Sequence, residues 1–369
     1  MFKWAWKSLF NQPGHLLGSA LGIASAFILV IFFDSVWRGE SVQVVAYPDN
    51  MKPDIWVMQS GVGNMHMAMS FIWDWKAKKI EKIEGVKKVT PILYTSSIIT
   101  VNNKEMFAFI VGLLPGTQRA GPWEMSAGRQ IENPGEVLIP DVLSKIGNIN
   151  IGDSLQIIDQ TFTVTGLTKG TFSSANTVLF VPFSNLDKIL SSSGTYSYLL
   201  VDTEESIDAK KLAQKIKNDV AKVNALTHKE FIANDLSMAK QMGVEIIVMM
   251  TIICSVLAAL IVAFTSYSLI MRKRKELAII KALGVNNRTV LYSVTAQSII
   301  VTLSGFILAT AFAIFVIPTL PQFIPQLTLL VSIDAIIQLG LIALIVSIAG
   351  ALIPAYMVLR VDPATAFHV

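Results

Sequence analysis

The sequence predicts an α-helical membrane protein with four transmembrane helices and a large α/β domain inserted between the first and the second. Three observations carry this. Hydrophobic residues make up 53% of the 369 residues and charged residues only 15%, against roughly 25% charged in a soluble domain; mean hydropathy is +0.56. Four stretches are apolar over the roughly 20 residues that a helix needs to cross a hydrocarbon core. One long segment of ordinary polarity separates the first stretch from the second.

The first stretch, residues 16–33, carries no charge and runs on past Asp34 to Trp37, which gives a span over 14–37. Ala24-Ser25-Ala26 resembles a leader-cleavage site, but it lies inside the apolar run, so a retained anchor is expected. Residues 244–271 form the second span. From 289 to 333 there is no charge, but Pro318, Pro321 and Pro325 interrupt the run. That leaves a third span over 289–317, a short loop over 318–327 and a fourth span over 328–359. Before the first span, residues 1–13 mix Phe2, Trp4 and Trp6 with Lys3 and Lys7. This mixture suits lipid headgroups, and Pro13-Gly14 turns the chain, so a short amphipathic interfacial helix is expected there.

Orientation follows from the basic residues near span ends. Lys3 and Lys7 precede the first span, Arg272, Lys273, Arg274, Lys275, Lys281 and Arg288 follow the second, and Arg360 follows the fourth. The loop between spans three and four has none. Both termini and the 272–288 loop are therefore expected in the cytoplasm, and residues 38–243 outside. The net charge of +4 is too small to argue for nucleic acid. A lone cysteine, Cys254, excludes an internal disulfide and a site built on several thiolates.

Within residues 38–243 two strand–helix units are expected to form one α/β subdomain, over about 50–120 and 191–230. In the first, a strand starts at Pro53, a helix over 74–83 ends at Gly85, a strand over 86–94 breaks at Pro91, and a hairpin follows over 96–112. In the second, the strand over 195–201 precedes a helix over 208–223 with Leu212, Ile216 and Val220 in one row. Between them, about 121–190, short β-branched runs predict a small β-rich insertion. Residues 35–43 and 231–242 read as stalk-like extensions of spans one and two.

Much chemistry is absent. The chain has no G-x-x-x-x-G-K-[ST] phosphate loop, no G-x-S-x-G and no H-E-x-x-H. His15, His66, His228 and His368 offer no ligand spacing. No charge sits at the centre of a span, where an ion-coupled carrier places one. No catalytic residue, metal site or resident cofactor is expected.

The most informative segment is 272–288. A short helix over 273–283 would set Leu277, Ile280 and Leu283 on one side, with Gly284 as its stop and Asn286 or Asn287 capping the next helix. A basic loop touching lipid phosphates is one reading; an apolar stripe suited to a partner's groove is the other. From Lys273 through Glu276, Leu277, Ile279, Lys281, Ala282 and Leu283 to Gly284, this segment resembles the R-x-x-E-[ILV]-x-[ILV]-x-[KR]-A-[LIVM]-G signature of the FtsX/MacB-like ABC transporter permeases. The close of the chain, Pro354-Ala355 and Pro363-Ala-Thr-Ala-Phe367, is similar to that family's ending. Residues 135–139, 151–155 and 162–166 resemble its periplasmic domain, and the order of one span, large domain and three spans is shared. Lys273 stands for the signature's Arg, Gln297 for an early Glu of span three, and Gly305-x-x-x-Ala309 for a G-x-x-x-G that permits close helix packing.

The resemblance implies a stand-alone permease in a bacterial inner membrane, dimeric with a second permease of the same or another kind. ATP and Mg would be bound by a separate cytoplasmic ATPase. Lys273, Arg274, Glu276, Leu277, Ile280, Lys281, Leu283 and Gly284 would form the coupling helix on that ATPase. It also implies mechanical transmission to the external domain, with efflux through an adaptor and outer-membrane channel, or lipoprotein-type extraction, as the outcome. One rival is an FtsX-like protein that signals to an external cell-wall hydrolase; a membrane receptor or enzyme without any ATPase is another. A Met- and Trp-rich segment adds an expectation. Trp56, Met65, Met67, Met69, Trp73 and Trp75 would contact an acyl chain, lipoprotein or adaptor, in preference to His66 and the methionines binding Cu(I).

Overall fold

The computed structural model describes residues 13–66, 69–101, 104–115, 119–173, 177–192, 194–239 and 245–359. In chain order the elements are helix α1 (Pro13–Val44), α2 (Ala46–Met51), strands β1 (Ile55–Gln59) and β2 (Ile72–Trp73), α3 (Asp74–Glu81), β3 (Val86–Val101), β4 (Lys104–Leu113), β5 (Met125–Gly128) and β6 (Glu136–Pro140). There follow α4 (Asp141–Gly147), β7 (Ser154–Ile157), β8 (Gln160–Thr168), β9 (Thr177–Pro182), α5 (Phe183–Leu190), β10 (Thr195–Tyr196), β11 (Tyr198–Thr203), α6 (Ala209–Asp219), β12 (Val223–Thr227) and α7 (His228–Ala239). The chain closes with α8 (Glu245–Arg272), α9 (Arg274–Ala282), α10 (Asn287–Phe315), a 3-10 turn (Ile317–Gln322) and α11 (Ile333–Leu359). Two compact units result: Met1–Arg38 with Ile246–Leu320 and Leu329–Val369, and Gly39–Glu245 with Pro321–Thr328.

The first unit holds four helices long and apolar enough to cross a membrane: α1, α8, α10 with its 3-10 turn, and Ile333–Leu352 of α11. Lipid tails are as apolar as leucine, so such helices associate through close packing and polar contacts. Both are present. Ile23, Phe27 and Val30 of α1 pack with Ala258 and Val262 of α8, Val301, Ala309 and Ala313 of α10 and Ala343 of α11. Buried hydroxyls then tie three helices together: Ser298 of α10 bonds Ser266 of α8 and, at 3.0 Å, Ser347 of α11, and Thr302 donates to Ser347 at 3.1 Å. The interfacial helix expected over residues 1–13 falls almost wholly outside the described residues. The fourth helix begins at Ile333, not 328. Residues 328–332 are irregular, and the Leu330 N–H donates to the Ser35 carbonyl of α1 instead of a helical partner.

In the second unit one sheet runs β12-β1-β11-β3-β4-β9-β6-β8-β5, with β7 on β8. Residues 121–190, expected to be a β-rich insertion, carry β5 to β9, and β4 pairs β9 in parallel from Ala108 to Leu113, which makes their strands one sheet with the rest. Strand β3 passes through Pro91 without a break. It pairs β11 from Val86 to Ile92 and β4 only from Leu93, so Pro91 has no β4 partner awaiting its missing N–H. One face of the first half is covered by α3 and α6, whose Ile80, Leu212 and Ile216 pack on Ile55, Val57 and Leu199. Asp208 caps α6 by accepting from the N–H groups of Lys210 and Lys211. The opposite face carries Trp56, Tyr94, Phe109 and Tyr198 under Phe231 of α7. A second core, under α4 and α5, gathers Val137, Leu155, Phe162, Val164 and Leu179.

The outer end of α1 belongs to this unit. Its last residue Val44 and the following Val45 pack on Ile232 and Leu236 of α7. The buried Glu40 carboxylate accepts from Thr328, and the Gln43 amide donates to the Gly170 carbonyl.

Candidate functional site

Between α8 and α10 the chain makes a compact helix–turn–helix. Lys273 interrupts the helical run, with its N–H on the Ile270 carbonyl at 3.1 Å and its own carbonyl accepting from Leu277 at 2.9 Å. Helix α9 ends at Gly284, whose φ of +88° is left-handed backbone that favours glycine. Asn286 then starts α10, its side chain accepting from the Arg288 N–H at 3.1 Å.

Burial divides α9 into two faces and corrects the expected stripe. Leu277 is 2% exposed and packs with Ile270, Val290, Val294 and Ala351, so it roots the helix in the bundle. Ala278 is buried beside it. The apolar side chains offered outward are Ile279 and Leu283, four residues apart, with Leu283 79% exposed; Ile280 and Lys281 are half-buried. Lys275 and Glu276 border this outward face. The three-residue spacing of Leu277, Ile280 and Leu283 makes Leu277 and Leu283 look equivalent, but the bundle behind α9 takes one and leaves the other. Arg274 opens the helix.

Lys273 is buried and donates to Gln297 Oε1 at 3.3 Å. Burial holds its ammonium below the usual lysine range. Two of the positions that depart from the family pattern, 273 and 297, are thus partners.

Gly305 lies against α1. A Cβ built there would come within 2.8 Å of the Ala20 carbonyl oxygen and 2.7 Å of Ile23. Ala309, one turn on, is fully buried in the same contact layer. Sequence reasoning missed the matching contact of α11, where a Cβ at Gly350 would lie 2.8 Å from the Ala263 Cα. It also missed the hydroxyl ladder of Ser266, Ser298, Thr302 and Ser347. The signal was available in both cases: small and hydroxyl residues inside otherwise bulky apolar spans.

The Met/Trp segment is split by the structure. Trp56 is 0% exposed and stacks on Phe231 with ring centroids 4.4 Å apart, so it is core and not a contact residue. Met65 is buried in the same cluster. Met67 lies outside the described residues. Met69, Trp73 and Trp75 are exposed, and Phe71, which the sequence reading passed over, joins them. His66 is not a free ligand. Its Nδ1 lies 2.7 Å from Oδ1 of the fully buried Asp235 on α7, which also accepts from the Met65 N–H at 2.8 Å. Tyr94 and Tyr198 donate to the carbonyls of Met65 and Asn64. Among the described residues no three His, Cys, Asp or Glu side chains converge on a metal-sized site.

Residues 15–219 match the family model of the MacB-like periplasmic core domain, and residues 248–363 match that of the FtsX-like permease C-terminal region. The chain belongs to the MacB/FtsX-like ABC transporter permeases. An uncharacterised ABC transporter permease of Mycobacterium tuberculosis is 22% identical over 346 residues, covering 92% of each chain. A permease protein of Staphylococcus epidermidis named for hemin transport, HrtB, is 22% identical over 365 residues and covers 98% of each chain. The crystal structure of the periplasmic region of MacB from Actinobacillus actinomycetemcomitans is similar at a TM-score of 0.37 and 15% identity, over 52% of this chain and 96% of that one. As an ABC transporter permease the chain implies a partner ATPase.

Proposed function

We propose that the chain is a permease subunit that takes mechanical work from a separate cytoplasmic ATPase through α9. It delivers that work to a periplasmic α/β domain, acting on a hydrophobic or lipid-linked substrate. The observation that carries this reading is the two-faced α9: Leu277 anchors it in the bundle while Ile279 and Leu283 stand bare beside Lys275 and Glu276. A helix that only closed a loop would gain nothing from an exposed leucine. Such a pair is the usual anchor of a helix seated in a partner's groove. ATP and Mg stay on that partner, and a second permease completes the assembly.

The outward route is supported by α1, which is continuous from Pro13 to Val44. Its outer end is packed on α7 and bonded to Thr328 and Gly170. Displacing α1 along its length therefore pulls on three segments of the second unit at once. The exposed Met69, Phe71, Trp73 and Trp75 supply an apolar surface for an acyl chain, lipoprotein or adaptor. One relative's name refers to hemin, itself a hydrophobic acid, which fits the same broad substrate class.

The test is co-expression and co-purification with a candidate partner ABC ATPase. Wild type is expected to retain the ATPase and to alter its rate of ATP turnover. Leu283→Asp is expected to lose both while the permease still folds. Retention that survives Leu283→Asp together with Ile279→Asp overturns the docking role of α9.

A further inference from the structure

The inner-facing ends of α1 and α8 enclose a second, unassigned feature. A cavity of about 320 Å³ lies between the first turns of α1 and the last turns of α8. Its floor is bare because two of its α1 residues, Gly14 and Gly18, sit one helical turn apart, and a Cβ at either would meet nothing within 4 Å. Its walls carry the hydroxyls of Ser19 and Ser268 and the cations of Arg272 and Lys273. Arg272 is turned toward α1, with Nη1 3.2 Å from His15 Nδ1. None of the described residues lining the cavity is acidic.

Guanidinium, ammonium and hydroxyl groups around one small space are the chemistry of an anionic oxygen ligand. The depth of the cavity says which one. Arg272 is the first charged residue after the apolar length of α8, so the cavity lies where hydrocarbon gives way to water, the level of lipid phosphates. Deeper along the same two helices, Leu21 and Phe264 are exposed, Phe264 by 72%, and offer a surface for an acyl chain. A free phosphate would use the polar part alone; a phospholipid uses both.

We infer that this cavity binds the phosphate of an anionic membrane phospholipid, held by Arg272 and the hydroxyls, with its chain laid along Leu21 and Phe264. The inference rests on the membrane-spanning helices and not on the docking role of α9. A bound lipid would wedge the start of α1 against the end of α8, next to Lys273 and the root of α9.

Native mass spectrometry on the purified full chain tests this, with phosphatidylglycerol and phosphatidylcholine offered as competitors. Wild type is expected to retain phosphatidylglycerol in preference. Gly18→Leu fills the cavity without removing a charge, and Arg272→Gln removes the charge without filling it. Each is expected to cut phosphatidylglycerol retention about tenfold, the worth of one charge-assisted hydrogen bond. Arg288→Gln, which removes a cation outside the cavity, is expected to leave retention unchanged. Gly14→Leu is made alongside, so that a fold defect in one filling variant leaves the other to decide. Equal retention of phosphatidylcholine, full retention in the filling variants, or an equal loss in Arg288→Gln overturns the inference. Displacement of phosphatidylglycerol by millimolar inorganic phosphate overturns it in favour of a soluble phosphate.

Discussion

Leu277 and Leu283 are the same residue type on one nine-residue helix, yet their surroundings give them opposite work. Truncating Leu277 opens a hole among Ile270, Val290 and Ala351, so Leu277→Ala is expected to cost about 2–3 kcal/mol, read as a lower thermal midpoint of the purified chain. Leu283→Asp touches no core and is expected to leave that midpoint unchanged while abolishing ATPase association. In the second unit the Glu136 carboxylate is held by several donors. Arg129 bonds it through both Nη atoms, at 3.0 and 2.6 Å, and the N–H groups of Glu132 and Asn133 add to it. These groups, Arg129 first, hold its carboxyl well below the usual range. A carboxyl depressed in the folded state stabilises fully above its unfolded pKa, about 4.3, and loses that contribution as pH falls below it. Glu136→Gln is therefore expected to lower stability at pH 7 and to flatten the loss of stability seen in acid, measured by urea unfolding across pH 7 to 3.

At the scale of elements, the helices of the first unit are held by close approach and by hydroxyls, since burial of apolar area gains little within lipid. Gly305→Leu would push α10 off the α1 backbone at Ala20 and Ile23. It is expected to lower the thermal midpoint and to expose cysteines placed along that seam to thiol reagents. Ser298→Ala removes the hub that joins α8, α10 and α11. Its expected cost is about 1 kcal/mol, because hydroxyl pairs in membrane helices are individually weak. Ser298→Val overfills the same spot and should cost more. The buried pair of His66 and Asp235 fastens the Met-rich loop to α7, so His66→Leu is expected to speed proteolysis within residues 60–70 while the sheet remains intact.

For the whole molecule, α1 is one continuous helix whose residues to Arg38 belong to the membrane unit and whose residues from Gly39 belong to the α/β unit. Its bonds to Thr328, Gly170 and α7 are made in its last two turns. Cross-linking residues 35–43 between two protomers is expected to stop ATP turnover of the reconstituted complex while leaving the ATPase bound. Turnover that continues unchanged would remove α1 from the transmission path.

Hydropathy alone was enough for the four spans, the inserted domain and the short basic helix, because a bilayer punishes every charge and every unpaired N–H within it. Residue periodicity also sufficed for α3, α6 and the β3–β4 hairpin, where local pattern and burial agree. Sequence could not say which side of α9 faces the bundle, since Leu277 and Leu283 differ only in what lies behind them. Nor could it say that Trp56 is core, because a tryptophan beside methionines reads alike as a contact or as packing until Phe231 of a distant helix stacks on it. The joining of two half-sheets by β4 and β9, the pairing of Lys273 with Gln297 and the cavity under Arg272 share that cause. Each depends on segments far apart in the chain meeting at a distance of a few ångströms, and a linear pattern carries no record of that meeting.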